Sequence, residues 1–227
     1  MGIIRLGCSG WDYRDWADVF YKGDESKLRG YSRVFNTAEI NSTFYSYPSE
    51  GIVFGWAKNT PRDFRFSVKL NRIMTHEKLL DISKGVGEDL KRFIEVLEPL
   101  KAAGKLACIL IQLPPAMNFR SERTGDFLKI LPDDLHFALE YRNRTWLTDE
   151  AHNLLKNYNV SEVTVDGPLL PGDIRLTSDI AYIRWHGRGE KMWYNYRYPE
   201  KELEGWIPLI KEISQSVDLY GYFNNHY

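Results

Sequence analysis

TAEINSTFY (Thr37–Tyr45) decides the fold. Glu39, Asn41 and Thr43 alternate with the mostly apolar set Ala38, Ile40, Ser42 and Phe44. A strand with one face in water reads this way. So does a strand whose polar face is turned inward to do chemistry. Similar runs elsewhere in the chain separate the two.

Seven further runs are rich in Val, Ile, Phe and Tyr and are bounded by turn residues. They are Ile3–Ser9, Phe64–Leu70, Leu106–Leu113, His136–Arg142, Ser161–Gly167, Ala181–Gly187 and Asp218–Asn225, with Thr37–Phe44 second in order. Helical stretches separate most of them: Glu25–Phe35, Ser49–Asn59, Gly87–Gly104, Arg123–Leu131, Thr148–Tyr158 and Pro199–Ser214. Ser49 behind Pro48 has the character of an N-cap, and Gly104 that of a helix stop. The segment PLLPGDIRLTSD reads as loop. Eight strands joined by helical crossovers must pair in parallel. The pattern predicts one α/β domain over residues 1–227, a single (β/α)8 TIM-type barrel, with an open doubly wound sheet as the alternative. The chain ends at Tyr227, just past the eighth run, so the eighth helix is expected to be missing or truncated.

In such a barrel both faces of every strand are covered, and the strands should be apolar almost throughout. Here the ends of nearly all of them are polar at a period of two. The set runs Glu39 and Asn41, Lys69 and Asn71, Gln112, Glu140 and Arg142, Asp166, Arg184 and His186, then Asn224 and Asn225. The alternate residues Ile40, Phe44, Val68, Phe137, Leu139, Ile183 and Trp185 suit a helix-facing layer. The polar set is therefore expected inside, at the carboxyl ends of the strands, where barrels place their active sites. A salt-bridge network filling the barrel would satisfy one or two pairs, such as Glu39–Lys69. Seven charges exceed that need, which favours a site.

Composition narrows the partners. The net charge is −1 over 227 residues, which gives no whole-molecule attraction to nucleic acid or an acidic membrane. No segment approaches the roughly 20 apolar residues of a membrane span. MGIIRL lacks the Ser or Thr of a myristoylation signal. Cys8 and Cys108 form no metal-ligand or redox spacing and read as reduced thiols, so a cytoplasmic location is expected.

The stretches GCSGWDYRDWADVFY, FNTAEINSTFYSYPS, WAKNTPRDFRFSVKLNRIMTHEKLL, LIQLPPAM, ALEYRNRTW, YIRWHGRG and GYFNNHY resemble the YecE-like family, domain of unknown function 72. The resemblance runs from the first strand to the last. It implies a TIM barrel and no established activity. It also implies a further helix past FNN in most relatives. The family's recurrent polar positions fall here on Ser9, Trp11, Glu39, Asn41, Lys69, His76, Gln112, Glu140, Arg142, Asp166, Arg184, His186 and Asn224. The family is likened by fold to metal-binding barrels of the endonuclease IV and xylose isomerase type, an analogy that does not fix function.

Two chemistries use these residues. In one, Glu39, Glu140, Asp166 and His186 converge on a divalent metal, although Lys69, Arg142 and Arg184 beside it are unfavourable. In the other, no metal or other cofactor is needed. Lys69, Arg142 and Arg184 hold a phosphate or carboxylate. Glu39, Glu140, His186 or His76 move protons, while Trp11, Asn41, Gln112 and Asn224 orient the substrate. Lys69 can also be read as a Schiff-base amine, though an ion pair with Glu39 is the simpler role. His76 has a plain surface-loop reading. Gly187 and Gly189 offer backbone amides to a phosphate, and MWYNYRY offers rings to a base or sugar. The function expected is an enzyme of hydrolase-like or acid–base chemistry on a small anionic or nucleic-acid-derived substrate. A non-catalytic nucleic-acid-binding or scaffold barrel is the alternative.

Overall fold

The computed structural model describes residues 1–18, 20, 21, 23, 25–168 and 174–225. Nine parallel strands lie in one sheet: β1 (Ile4–Cys8), β2 (Thr37–Ile40), β3 (Arg65–Lys69), β4 (Leu106–Gln112), β5 (Phe137–Glu140), β6 (Val160–Glu162), β7 (Thr164–Asp166), β8 (Ile180–Trp185) and β9 (Asp218–Phe223). Their order is β6-β5-β4-β3-β2-β1-β9-β8-β7. The two ends of that list are halves of one run, separated only by Val163. β6 pairs with β5 and β7 pairs with β8, so the sheet closes into a TIM-type barrel across Val163.

The expected sixth strand is thus two, and Thr177 gives the reason. Its Oγ1 accepts from the Glu162 N–H at 2.7 Å and donates to the Val160 carbonyl at 2.7 Å. One side chain takes the place of a neighbouring strand along the far edge of β6. The chain then turns to β8 from Thr164 onward, where Thr164 stands opposite Ile183. Val163 bridges the change, donating its N–H to the Leu139 carbonyl at 3.0 Å. These three bonds occupy backbone groups at Val160, Glu162 and Val163 that the change of partner would otherwise leave open.

Helices cover the outside: α1 (Lys27–Tyr31), α2 (Glu50–Lys58), α3 (Val86–Val96), α4 (Glu98–Ala102), α5 (Ser121–Leu128), α6 (Asp149–Asn157) and α7 (Glu200–Ile213). The Ser49 hydroxyl caps α2 by accepting from Ile52 N, and Thr148 caps α6 in the same way. The stretch expected as one helix over Gly87–Gly104 is divided at Leu97, because Pro99 in the first turn of α4 cannot donate a helical hydrogen bond. Gly104 ends it with φ +64°, a conformation that costs a glycine little. Of the expected loop PLLPGDIRLTSD, residues 169–173 lie outside the described residues, and 174–179 form no helix or strand. Among the described residues no helix is long and apolar enough to cross a membrane.

Two apolar layers result. Ile40, Val68, Phe137 and Leu139 face the helices in the outer core, and Ile183 and Trp185 do so beneath α7. Cys108, Leu110, Ala138, Val163, Tyr182, Tyr220 and Tyr222 fill the inside of the barrel. In the floor of the mouth the Tyr222 hydroxyl lies 2.8 Å from both Thr37 Oγ1 and Ser67 Oγ.

Candidate active site

The opening stretch is strand only to Ile40, after which Ser42–Phe44 makes a tight 3-10 turn. That turn breaks the alternation. Thr43 no longer points with Glu39; its hydroxyl donates to the Lys69 carbonyl at 2.7 Å. Phe44 is not in the helix-facing layer. It lies at the mouth, under Lys69, whose Nζ is 4.1 Å from the ring centroid.

Glu39 and Glu140 are both fully buried inside the barrel, at 0% and 1% exposure. Arg184, also 1% exposed, stands between them. Its Nη2 donates to Glu39 Oε1 at 2.8 Å and its Nη1 to Glu140 Oε2 at 2.5 Å. Glu39 takes three more donors: Ser9 Oγ at 2.7 Å, Asn41 Nδ2 at 3.1 Å and the Tyr182 hydroxyl at 2.7 Å. Burial alone would push this carboxyl up, but the Arg184 charge and these hydrogen bonds outweigh it and hold it below the usual range. Glu140 is opposed in the same way by burial, then by Arg184, His186 and Arg142, and ends well below that range. Arg142 donates from Nε to Glu140 Oε1 at 3.0 Å while its side chain stays partly open to solvent.

His186 completes this group. Asn224 donates from Nδ2 to His186 Nδ1 at 2.9 Å, which places the ring proton on Nε2. Nε2 faces Glu140 Oε2 at 3.6 Å and has no closer partner among the described residues. Burial disfavours the charged ring more than Glu140 favours it, so the pKa falls and the ring is neutral at pH 7.

Lys69 enters from the end of β3 beside these groups. Among the described residues no carboxylate lies within 4 Å of its Nζ, so the Glu39–Lys69 ion pair expected from sequence is absent. Burial lowers its pKa to about 8, helped by Arg184 and Arg142 and opposed by Glu140 and Glu39. His76 lies in a single π-helical turn (Ile73–Glu77), its ring 4.9 Å from that of Phe44 and edge-on to it. The Thr75 hydroxyl lies 2.9 Å from His76 Nδ1. Burial, then the charges of Lys69, Arg142 and Arg72, lower the His76 pKa. Trp11 packs edge-on against Trp56 and, with Ser9, Tyr13 and Asn41, lines a cleft that opens beside Glu39.

One expected site residue, Asp166, stands apart, and another, Gln112, has its amide engaged locally. Asp166 is on the opposite face of its strand from Val163 and Val165, which pack on the barrel interior. Asp166 therefore has the outward parity of Glu162, which bonds Tyr141 and His152 of α6, and Arg188 Nε donates to its Oδ1 at 3.1 Å. Gln112 spends its amide on the Leu113 carbonyl at 2.5 Å. The amides of Gly187 and Gly189 are also taken, by the Tyr198 hydroxyl at 2.8 Å and the Trp193 carbonyl at 3.1 Å, so they offer no phosphate cradle. Trp193 of the aromatic run instead walls a small cavity with Glu140, Arg142 and His186. Sequence reading overlooked Tyr182, although it lies two residues before Arg184 on the same strand and the period of two points to it. Arg188 and Phe44 lie beyond regular strand, where no period applies.

The donor set does not fit a metal. Among the described residues no group of three or more His, Cys, Asp or Glu side chains is placed to hold one. The Arg184 guanidinium fills the space between the two inward carboxylates, where a cation would have to sit.

The arrangement defines a class: a parallel α/β barrel with a buried, internally paired charge network at the carboxyl ends of its strands. The chain belongs to the family described as "Protein of unknown function DUF72", whose profile matches residues 5–227. It is 28% identical to the UPF0759 protein YunF of Bacillus subtilis (strain 168), over 99% of this chain and 89% of that protein. A crystal structure of a DUF72 family protein from Thermotoga maritima superposes with a TM-score of 0.84 at 31% identity, covering 99% of this chain and 93% of that one. More distant likenesses, showing the fold alone, are D-psicose 3-epimerase (TM-score 0.54, 15% identity, 96% and 84% covered) and a family 2 AP endonuclease from Brucella melitensis (TM-score 0.51, 9% identity, 100% and 95% covered).

Proposed function

We propose that the chain is an enzyme that binds a small phosphate- or carboxylate-bearing substrate at the barrel mouth and transforms it by acid–base chemistry. The charge balance carries this reading. Glu39 and Glu140 contribute −2 and Arg184, Arg142 and Lys69 contribute +3, with His186 neutral, leaving +1. The surplus belongs to Lys69, which has no carboxylate beside it. A half-buried cation without a counter-ion is costly, and an anionic ligand held by Lys69 and the open side of Arg142 supplies one. Glu140 and the Nε2–H of His186 are the groups placed to exchange protons with that ligand. Glu39, saturated with four donors, positions Arg184. Asp166 and Gln112 act, in this reading, through the walls of the site.

Two fold neighbours carry enzyme names, which supports catalysis only by analogy. Both cysteines are free and buried, in keeping with a cytoplasmic location.

Thermal unfolding in phosphate against chloride of matched ionic strength tests the anion site. Phosphate at ten times its dissociation constant should add about 1.4 kcal/mol to the wild type. The Lys69→Met variant should lose that gain. Equal phosphate responses in the two proteins would overturn the reading. A nucleic-acid ligand would instead show steep loss of oligonucleotide affinity with salt. Glu140→Gln should abolish any turnover found among phosphate esters and keto acids while leaving the fold intact.

A further inference from the structure

Lys69 differs from the other cations of the mouth. Arg184 is locked between two carboxylates, and Arg142 is tied to Glu140 on one side. Lys69 Nζ has neither a hydrogen-bond nor an ion-pair partner among the described residues. It rests on the face of Phe44, a surface that fixes its place without occupying its nitrogen. A lysine kept only to balance charge would be expected against Glu39 or Glu140. Here both carboxylates are already satisfied by arginine and by neutral donors. The amine is left accessible, surrounded by cations and close to groups that exchange protons.

We propose that Lys69 is an imine-forming amine and that the substrate of this mouth is an anionic aldehyde or ketone. The inference rests on the anion-binding reading above and names the substrate class. The unprotonated Nζ attacks the carbonyl carbon; the N–C bond forms as the C=O π pair moves to oxygen. That oxygen takes a proton, Nζ loses one, and a carbinolamine results. Loss of water breaks the C–O bond and leaves C=N. Arg142 holds the substrate's anionic group. Glu140 Oε2 and His186 Nε2, 3.6 Å apart, are placed to relay the protons that oxygen gains and nitrogen gives up.

The free base needed for attack is available near neutrality. Burial and the charges of Arg184 and Arg142 bring the amine to about 8, against the opposing pull of Glu140 and Glu39; His76 and Tyr45 are the titratable neighbours at the Phe44 ring. An amine at 8 has roughly 300-fold more free base at pH 7 than one at the ordinary lysine value of 10.5.

Trapping with cyanoborohydride at pH 7 tests the proposal. The probe is glycolaldehyde phosphate, with glycolaldehyde as its uncharged counterpart, and the labelled site is found by peptide mass mapping. Hydride addition to C=N gives a secondary amine whose mass gain is that of the aldehyde less one oxygen. Lys69 should label at least about tenfold faster than any exposed lysine, and faster with the phosphate than without it. Lys69→Arg, which keeps the charge, should lose this label while retaining the phosphate-induced stabilisation. Labelling spread over surface lysines with Lys69 spared would overturn the imine and leave the anion site standing. Rapid labelling at Lys69 that ignores the phosphate group would keep the imine and overturn the anionic substrate.

Discussion

Replacing Arg184 by Met is the sharpest perturbation of the barrel mouth. Met matches the aliphatic stem of Arg but stops short of the guanidinium, so it removes the charge, its donors and the group that stands between the carboxylates. Glu39 keeps Ser9, Asn41 and Tyr182 as donors. Glu140 keeps the Arg142 Nε at 3.0 Å and the distant His186. Removing one partner of a buried ion pair costs about 3–5 kcal/mol, because the remaining charge is stranded. Two carboxylates share this cation, but Glu39 remains well donated, so the loss falls mainly on Glu140. A single such penalty, about 3–5 kcal/mol at pH 7, is expected. That is a large part of the roughly 5–15 kcal/mol that holds a domain folded.

The pH dependence fixes the origin of the loss. In the wild type both carboxyls sit below the usual 4.5, so their stabilising contribution is complete above that value and drains away as pH falls through the folded-state values. Without the guanidinium, burial dominates and raises both. The variant is then penalised most at neutral pH and recovers as acid neutralises the stranded groups. Urea unfolding followed by tryptophan fluorescence at pH 7 and pH 5 should show the gap to wild type narrowing on acidification. Arg184→Lys should fall between the two proteins, since one ammonium cannot reach both carboxylates in the manner of a planar fork. A gap under about 1 kcal/mol at pH 7, or one that widens toward pH 5, would refute the stranded-charge account.

Two further outcomes follow from packing and burial. Gly7→Ala should cost at least about 3 kcal/mol, because an added Cβ would lie 2.0 Å from the Thr37 carbonyl oxygen of the paired strand; Gly55→Ala, in the middle of α2 with nothing within 4 Å, should stabilise by about 0.5–1 kcal/mol. Calorimetry that ranks the two changes the other way would remove the close-approach argument. Cys8 is buried and its thiol is pushed up to about 11, chiefly by burial and against the Tyr31 hydrogen bond. At pH 8 only about one thiol in a thousand is ionised there, and burial also raises Cys108 well above its ordinary value. Ellman's reagent should therefore detect no cysteine until denaturant is added, and prompt native reaction would contradict the burial of both.

The barrel was legible because its strand ends break the rule for covered strands. Glu39, Glu140, Arg184 and His186 share one period of two, and that period holds wherever the backbone stays extended. It fails where extension ends. Thr43 leaves the series because the chain turns at Ser42. Asp166 was never in it: its run keeps the period, with Val163 and Val165 inward, and the polar end of that run falls on the outward parity of Glu162. The division of the sixth run was not legible either: Thr177, which satisfies the free edge of β6, lies 11 residues after Asp166 in sequence and belongs to no strand. Pairing was less legible than placement. Sequence offered Lys69 to Glu39 by simple opposition of charge. The structure gives Glu39 to Arg184 instead, because a planar guanidinium on β8 can reach carboxylates on β2 and β5 together.

That arrangement separates this barrel from a metal site built on similar residues. Two carboxylates inside a low-dielectric mouth require a cation between them. A bound metal would supply one that exchanges with solvent and depends on supply. Arg184 supplies one that is covalently attached, permanently charged and aimed from both ends of a rigid fork. Its two terminal nitrogens are spent on holding the two carboxylates ionised, and its Nε, without a partner among the described residues, is buried away from solvent. The cations with unused capacity are Arg142, exposed on one side, and Lys69, with an unoccupied nitrogen. On the proposed reading, substrate recognition and chemistry fall to the rim above the buried triad, and substitutions there should alter ligand binding without the stability loss expected for Arg184.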